Sequence, residues 1–306
     1  MPLKASHAVE NLGLELDGMN AGTAKSVEGG TASADVVAEK LGPDGIVRKH
    51  LAGVKYEDIT VICGTGMSKG FFEWLTSSFD RKPSPRDGAV VRADVNLVEY
   101  ARLNFYHGYI SEIGFPGLDV ASRDAAFLTV KISPEYTRRV TGQKGKLPFA
   151  RPNLKKRWLR SNFRLQIDGL DCTRVTKIDA ITMRQIPTEY PVGELRDYEN
   201  APRYLDVPNL AVTLPESFAE SFHAWHEDFV IKGNSGVNSE KHGTLEYMVP
   251  DLREVHFRLT LHNLGIFKLT SLLSGPANVR SVRAEIYCEQ ISFQLGATAV
   301  LGPAAG

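Results

Sequence analysis

The chain has 306 residues, 42% hydrophobic and 24% charged, which is room for two ordinary domains with a substantial core and far from a disordered composition. Thirty-six Lys and Arg balance 36 Asp and Glu, and a formal charge of zero argues against a dedicated nucleic-acid binder. No apolar run reaches the roughly 18 residues of a membrane helix, the opening MPLKASHAVENLG lacks the apolar stretch of a secretory signal, and Cys63, Cys172 and Cys288 form neither a CxxC pair nor an even set, so the expectation is a soluble, cytosol-made globular protein in a reducing compartment.

In chain order, the alternation Leu12, Leu14, Leu16 predicts a strand that ends at Asp17-Gly18, a hairpin-turn pair. A second strand follows, then EGGTASADVVAEKLGPDG, rich in Gly, Ala and charge, which reads as a mobile loop or a long hairpin arm. A short strand at 59–63 leads into a helix carrying Phe71, Trp74, Leu75 and Phe79, and three strands are expected at 88–94, 98–107 and 124–132. Residues 138–160 hold nine basic residues, two prolines and no acid, a pattern of an extended linker or of a basic strap docked on an acidic neighbour. A strand on Phe163, Leu165 and Ile167 then ends at Asp168-Gly169. A short strand over 210–214 follows, and Thr213-x-x-Glu216 with Pro215 predicts a capped helix bearing Phe218, Phe222, Trp225 and Phe229 on one face. Strands at 243–249, 253–261 and 280–294 complete the chain.

These two series are one series repeated. With an offset of 151 residues, Asn11, Leu14, Asp17 and Gly18 meet Asn162, Leu165, Asp168 and Gly169 as identities, and Phe71 and Trp74 meet Phe222 and Trp225. Farther on, with small gaps, 87–94 meets 242–249, and Ala101, Leu103, Phe105 meet Val255, Phe257, Leu259. The reading is mainly β (α+β): two tandem β-barrel or sandwich domains, each of about six strands and one helix with long loops, occupying 1–137 and 161–306 around the 138–160 linker. Both tryptophans are expected in the cores.

Three patterns invite a chemical reading. Gly66-Met67-Ser68-Lys69-Gly70 is a literal G-x-S-x-G between a strand and a helix, with Asp251 and His256 or His262 later in the order of a hydrolase triad. The matching joint of the second copy is Ser217-Phe218-Ala219-Glu220-Ser221, so the fold makes that joint without the motif. The same glycines form no P-loop, because Lys69 precedes Gly70 instead of Ser or Thr. His223 and His226 sit at metal-pair spacing on a helix, but their counterparts are Phe72 and Leu75. No catalytic, cofactor or metal site is assigned, and a duplicated β module without one points to binding or assembly.

Tyr56-Glu57-Asp58-Ile59-Thr60, the helix with Trp74, Asp87-Gly88, Arg102-Leu103-Asn104-Phe105 and the strand over 132–135 occur in an order that resembles the bacteriophage tail tube proteins and, equally, the inner-tube proteins of contractile injection systems. NFRLQIDGL (162–170) is similar to the family's first strand, while the second copy has Val207-Pro208-Asn209-Leu210-Ala211 at the YEDIT position. The resemblance implies a tube-type barrel that self-assembles into stacked six-barrel rings: three duplicated chains in a pseudo-hexamer if the copies lie side by side, or six chains in a two-layer ring if they lie one above the other. It also implies a conduit through which DNA or an effector passes without specific binding, sheath or baseplate proteins as neighbours, no cofactor, no membrane insertion, and assembly in the bacterial cytoplasm. Inter-subunit or ring-bridging contacts are expected at Tyr56 and Asp58 by that resemblance. Lys155, Lys156, Arg157 and Arg160 are expected there as part of the basic strap, and the segments 28–47 and 186–206 as bridging arms. A hub or tube-terminator ring of the same fold is the alternative, and a serine hydrolase using Ser68 the remote one.

Overall fold

The computed structural model describes residues 11–40, 46–80, 82, 84–142, 145, 158–191, 198–274 and 279–296. The first half contains β1 (Asn11–Leu16), β2 (Met19–Gly29), β3 (Ala32–Lys40), β4 (Val47–Tyr56), β5 (Ile59–Cys63), α1 (Lys69–Phe79), β6 (Arg86–Ala93), β7 (Glu99–Phe115), β8 (Leu118–Asp119), β9 (Leu128–Ser133) and β10 (Tyr136–Thr141). The second contains β11 (Phe163–Ile167), β12 (Lys177–Ile178), β13 (Ile181–Pro191), β14 (Tyr198–Asp206), β15 (Leu210–Pro215), α2 (Glu220–His226), β16 (Lys241–Met248), β17 (Val255–Ser274) and β18 (Val279–Leu295).

In the first half β1, β2, β5, β9, β7 and β6 pair in that order and β6 returns to β1, closing a six-stranded barrel. Asp17 and Gly18 both adopt positive φ, so the Asp-Gly pair makes the tight β1–β2 turn that its chemistry predicts. Leu14, Val61, Phe105 and Val130 alternate with outward residues and fill the interior. The second sheet runs β11-β16-β17-β18-β15-β12, the same relative order, but it is open between β11 and β12. β3 and β4 form a third, two-stranded sheet.

The closed and open sheets differ where the first turn ends. Asn20 and Asp171 occupy equivalent places, and both side chains accept from the backbone N–H two residues on, Gly22 and Thr173. Gly22 has φ +124, a conformation barred to β-branched Thr173, and it stays in register opposite Leu14. At Thr173 the chain instead turns, with Val175 N–H donating to Cys172 O, and strand pairing resumes only at Lys177.

The helices depart from expectation in detail. α1 is the longer and more regular: Ser68 caps it by accepting from Phe71 N–H, and Trp74 is buried with its Nε1 donating to Ser84 O. In the second half Thr213 and Pro215 stay in β15, so no capping box forms. A 3-10 turn over Glu216–Phe218 leaves Phe218 exposed, and α2 starts at Glu220 and ends in a wider turn over Glu227–Ile231. Trp225 and Phe229 are nonetheless buried as the stripe predicts. β7 and β17 extend well past their expected ends. The ladders also correct the alignment of these two strands: Gly88 faces Phe105 and Gly243 faces Leu261, which makes Phe105 the equivalent of Leu261, not of Leu259.

A Cβ at Gly22 lies 2.8 Å from Met67 Sδ, and the positive φ by itself costs about 1–3 kcal/mol for a β-branched residue. Gly22→Thr is therefore expected to lower the urea midpoint by at least that equivalent and to loosen the β1–β2 edge in hydrogen exchange.

Candidate assembly interface

The two halves meet through exchanged strands. β7 outruns its partner β6, and along the vacated edge the second half's β13 adds antiparallel: Ile181 opposite Phe115, Thr182 opposite Gly114, Met183 opposite Ile113 and Arg184 opposite Glu112. In return the first half's β8 adds to β12, with Leu118 opposite Ile178 and Asp119 opposite Lys177, whose side chains form a 3.2 Å ion pair. An edge strand needs such a partner because its free N–H and C=O groups otherwise face only water.

Beneath the strands lies an aromatic layer. Phe72 and Phe79 of α1, together with Phe115 of β7, meet Tyr247, Phe257 and Phe293 of the second half. Phe79 stacks on Phe293 at 5.4 Å, Phe72 lies 5.5 Å from Phe257, and Phe115 lies 5.5 Å from Tyr247. Trp158, just before the second half, sets its edge against Tyr247 and Phe257 at 5.3 Å. All of these rings are buried, and a single hydrophobic cluster runs through both halves. Burial drives the Tyr247 phenol far above its ordinary pKa, so it remains neutral.

Charge marks the rim. Arg184 Nε and Lys131 Nζ donate to the same oxygen of Glu112, at 2.9 and 3.1 Å. Burial alone would raise the Glu112 carboxyl, but these hydrogen bonds and the two positive charges outweigh it and hold the group below the usual carboxylate range. Gln185 Nε2 reaches across to Ser78 O of α1 at 3.4 Å.

Of the predicted contact residues, Arg160 lies beside β8, while Tyr56 and Asp58 make their contacts within the first half. Tyr56 ends β4 half-buried, and its hydroxyl accepts from Arg138 at 3.4 Å. Asp58 accepts from Ser111 Oγ at 2.9 Å, which ties the start of β5 to β7 within the first half. Arg160 is exposed, but its backbone is clamped: its N–H donates to Asp124 O, and its C=O accepts from Asp119 N–H. Lys155, Lys156 and Arg157 lie outside the described residues. At the two ends of the basic stretch, residues 138–141 belong to β10 and Trp158 enters the aromatic layer. The β7–β13 contact itself was not predicted. Its signal is the unequal apolar length of 99–115 against 86–93.

The chemical lures have structural explanations. Ser68 is the α1 cap, and its N–H donates to Ala21 O. His223 is exposed, and no group of three or more metal-binding side chains occurs among the described residues. All three cysteines are free and buried. Burial raises the Cys63 thiol to about 12, and it is the main cause of values of about 11 at Cys172 and Cys288.

No protein-family model matches the chain, and no curated protein matches it. The chain is similar in structure to proteins of contractile injection systems. One is the tube-terminating cap of the anti-feeding prophage (14% identity, 42% of this chain and 87% of that one, TM-score 0.38). A second belongs to the sheath–tube complex of the extracellular contractile injection system PVC in its extended state (15%, 45% and 94%, 0.38). A third belongs to the six-fold symmetrised anti-feeding-prophage baseplate (10%, 46% and 97%, 0.39).

Two outcomes are expected. A carboxylate with a lowered folded pKa stabilises above its unfolded pKa of about 4.3 and loses that contribution as pH falls through the folded value. Glu112→Gln should therefore cost about 1 kcal/mol at neutral pH, given the exposure of its two partners, and flatten part of the stability loss below about pH 4 in denaturant titrations. Ser68→Ala should cost about 1 kcal/mol of helix capping and leave the oligomeric state unchanged by sedimentation velocity.

Proposed function

We propose that this chain is a structural tail-tube or inner-tube protein built from two copies of one barrel, the second left open at its β11–β12 seam, in units 1–137 and 161–306. Three chains form a pseudo-hexameric ring, and rings stack into a conduit for a genome or an effector. The observation that carries this reading is the junction: one copy's strand extends the other copy's sheet, so the contact is head-to-tail. A head-to-tail contact uses different patches on its two sides and leaves one of each unsatisfied at the ends of the pair. Repetition of the same contact between chains then generates either a ring or a filament.

The side-by-side arrangement is supported by lateral sheet pairing, because β13 lies beside β7 in one sheet. The arm β3–β4 supports further contacts, since it carries the exposed cross-strand pair Val36–Leu51 and the exposed Val54 opposite a half-buried Ala34, with Leu51 66% exposed. In this reading Tyr56, Asp58 and the basic segment through Arg160 serve inter-subunit or ring-bridging contacts. Sheath or baseplate proteins cover the outside, cargo passes the lumen without specific binding, and assembly occurs in the bacterial cytoplasm. A hub or terminator ring differs only in that its closed ring never stacks.

Negative-stain electron microscopy of the purified full chain across a concentration series tests the proposal. Open-centred rings with three-fold symmetry, stacked at high concentration, are expected. Rings that never stack move the protein to the terminator role, six chains in two layers overturn the trimer, and compact single particles at every concentration overturn the assembly itself.

A further inference from the structure

The junction inside the chain has an unfilled counterpart. The arms correspond under the same offset of 151 residues: β3 overlays 183–191 of β13, and 47–55 of β4 overlays β14. Each arm breaks register at a matching place, between Ala34 and Val36 and between Ile186 and Pro187. The accepting strands correspond as well. β7 bulges against β9 between Ile110 and Glu112, and β17 bulges against β18 between Ile266 and Lys268. Superposing these bulges lays the Glu112–Lys131 ion pair on Lys268–Glu285, the same contact with its charges reversed.

Occupancy is what differs. The β7 edge from Glu112 to Phe115 is taken by β13. The equivalent β17 edge, from Lys268 to Ser271, lies beyond the last β16 pairing at Leu264, and among the described residues no strand pairs with it. Among the described residues β3 in turn pairs with β4 and with no other strand. At the root of the arm Gly29 and Gly30, with φ of +88 and +75, replace Ala180 and Ile181. Two successive positive φ values are adopted without strain by glycine, and they turn the chain out of β2 into the arm. It sets the arm beside β10, where Thr137 Oγ1 donates to Gly30 O at 2.9 Å.

We propose that β3 of one chain adds antiparallel to the free β17 edge of a second copy of this chain, with Thr31 opposite Thr270, Ala32 opposite Leu269 and Ser33 opposite Lys268. The contact supplies main-chain hydrogen bonds to two edges that no strand among the described residues covers, and the arm's apolar pairs lie on the neighbour. This deepens the ring reading and rests on it. Position 33 then stands to Lys268 as Arg184 stands to Glu112, so an acid there completes the opposite-charge pair and a base opposes it.

The test uses the full chain with Ser33→Cys and Lys268→Cys together, and separately with Thr31→Cys and Thr270→Cys. The native cysteines are buried and do not compete. Mild oxidation is expected to give covalent dimers and trimers on non-reducing gels. Rings on the grid with no intermolecular crosslink from either pair overturn this contact and leave the ring reading standing. No oligomer and no crosslink at any concentration overturn both. A disulfide within one chain overturns the proposal, because β3 has then folded back on its own β17. Independently, Ser33→Glu should lower and Ser33→Lys raise the dissociation concentration, each roughly two- to fivefold at low salt. Equal shifts in one direction, or none, contradict the pairing.

Discussion

Seven aromatic rings, from Phe72, Phe79, Phe115, Trp158, Tyr247, Phe257 and Phe293, lie between the two halves of this chain, and everything else is arranged around them. Each buried ring contributes about 1.5–3 kcal/mol by leaving water, and edge-to-face and offset contacts add to that. α1 buries Phe71, Trp74 and Leu75 in the common core and carries Phe72 and Phe79 to the rings of the second half. The strands at the rim then have their direction set for them. Once Phe115 is held against Tyr247, the end of β7 lies where β13 can hydrogen-bond to it.

A shared core of this kind ties the two halves together, since one hydrophobic cluster holds residues of both. The two halves also carry one ion pair with its charges exchanged. At the equivalent positions of the β7–β9 and β17–β18 ladders the same salt bridge appears as Glu112–Lys131 and as Lys268–Glu285. A pair tolerates reversal when both members change, since the attraction is unaltered, while any third group facing it must change too. In the first half that third group is Arg184, which arrives with the exchanged strand.

Much of the fold was legible from residue order. The Leu12, Leu14, Leu16 alternation, the Asp17-Gly18 turn and the buried tryptophans of α1 and α2 follow from local chemistry, and the structure shows each of them. The capping-box reading at Thr213 failed because a backbone already committed to the β15 ladder cannot serve as a helix cap. The G-x-S-x-G segment matched a catalytic turn by letter, yet its serine is held as a cap by Phe71 N–H. Tyr56 and Asp58 sit at the arm's base and make contacts to Arg138 and Ser111. The strand exchange at Glu112 and Arg184 went unread, since those residues are 72 apart and neither stands out in its own neighbourhood.

The sequence by itself determined that the chain is β-rich, that its pattern repeats at an offset of 151 residues, and which side chains alternate inward, because period, turn chemistry and identity are properties of neighbours along the chain. Only the tertiary structure decided that the first-half sheet closes into a barrel while the second-half sheet stays open: Gly22, at φ +124, keeps the β1–β2 ladder in register, whereas the chain turns at Thr173 and pairs again only at Lys177. It likewise decided that one arm lies on a sheet edge while the other stands off it, because edge pairing depends on which strand outruns its partner in space. That quantity belongs to two segments brought together by the core and to neither of them alone.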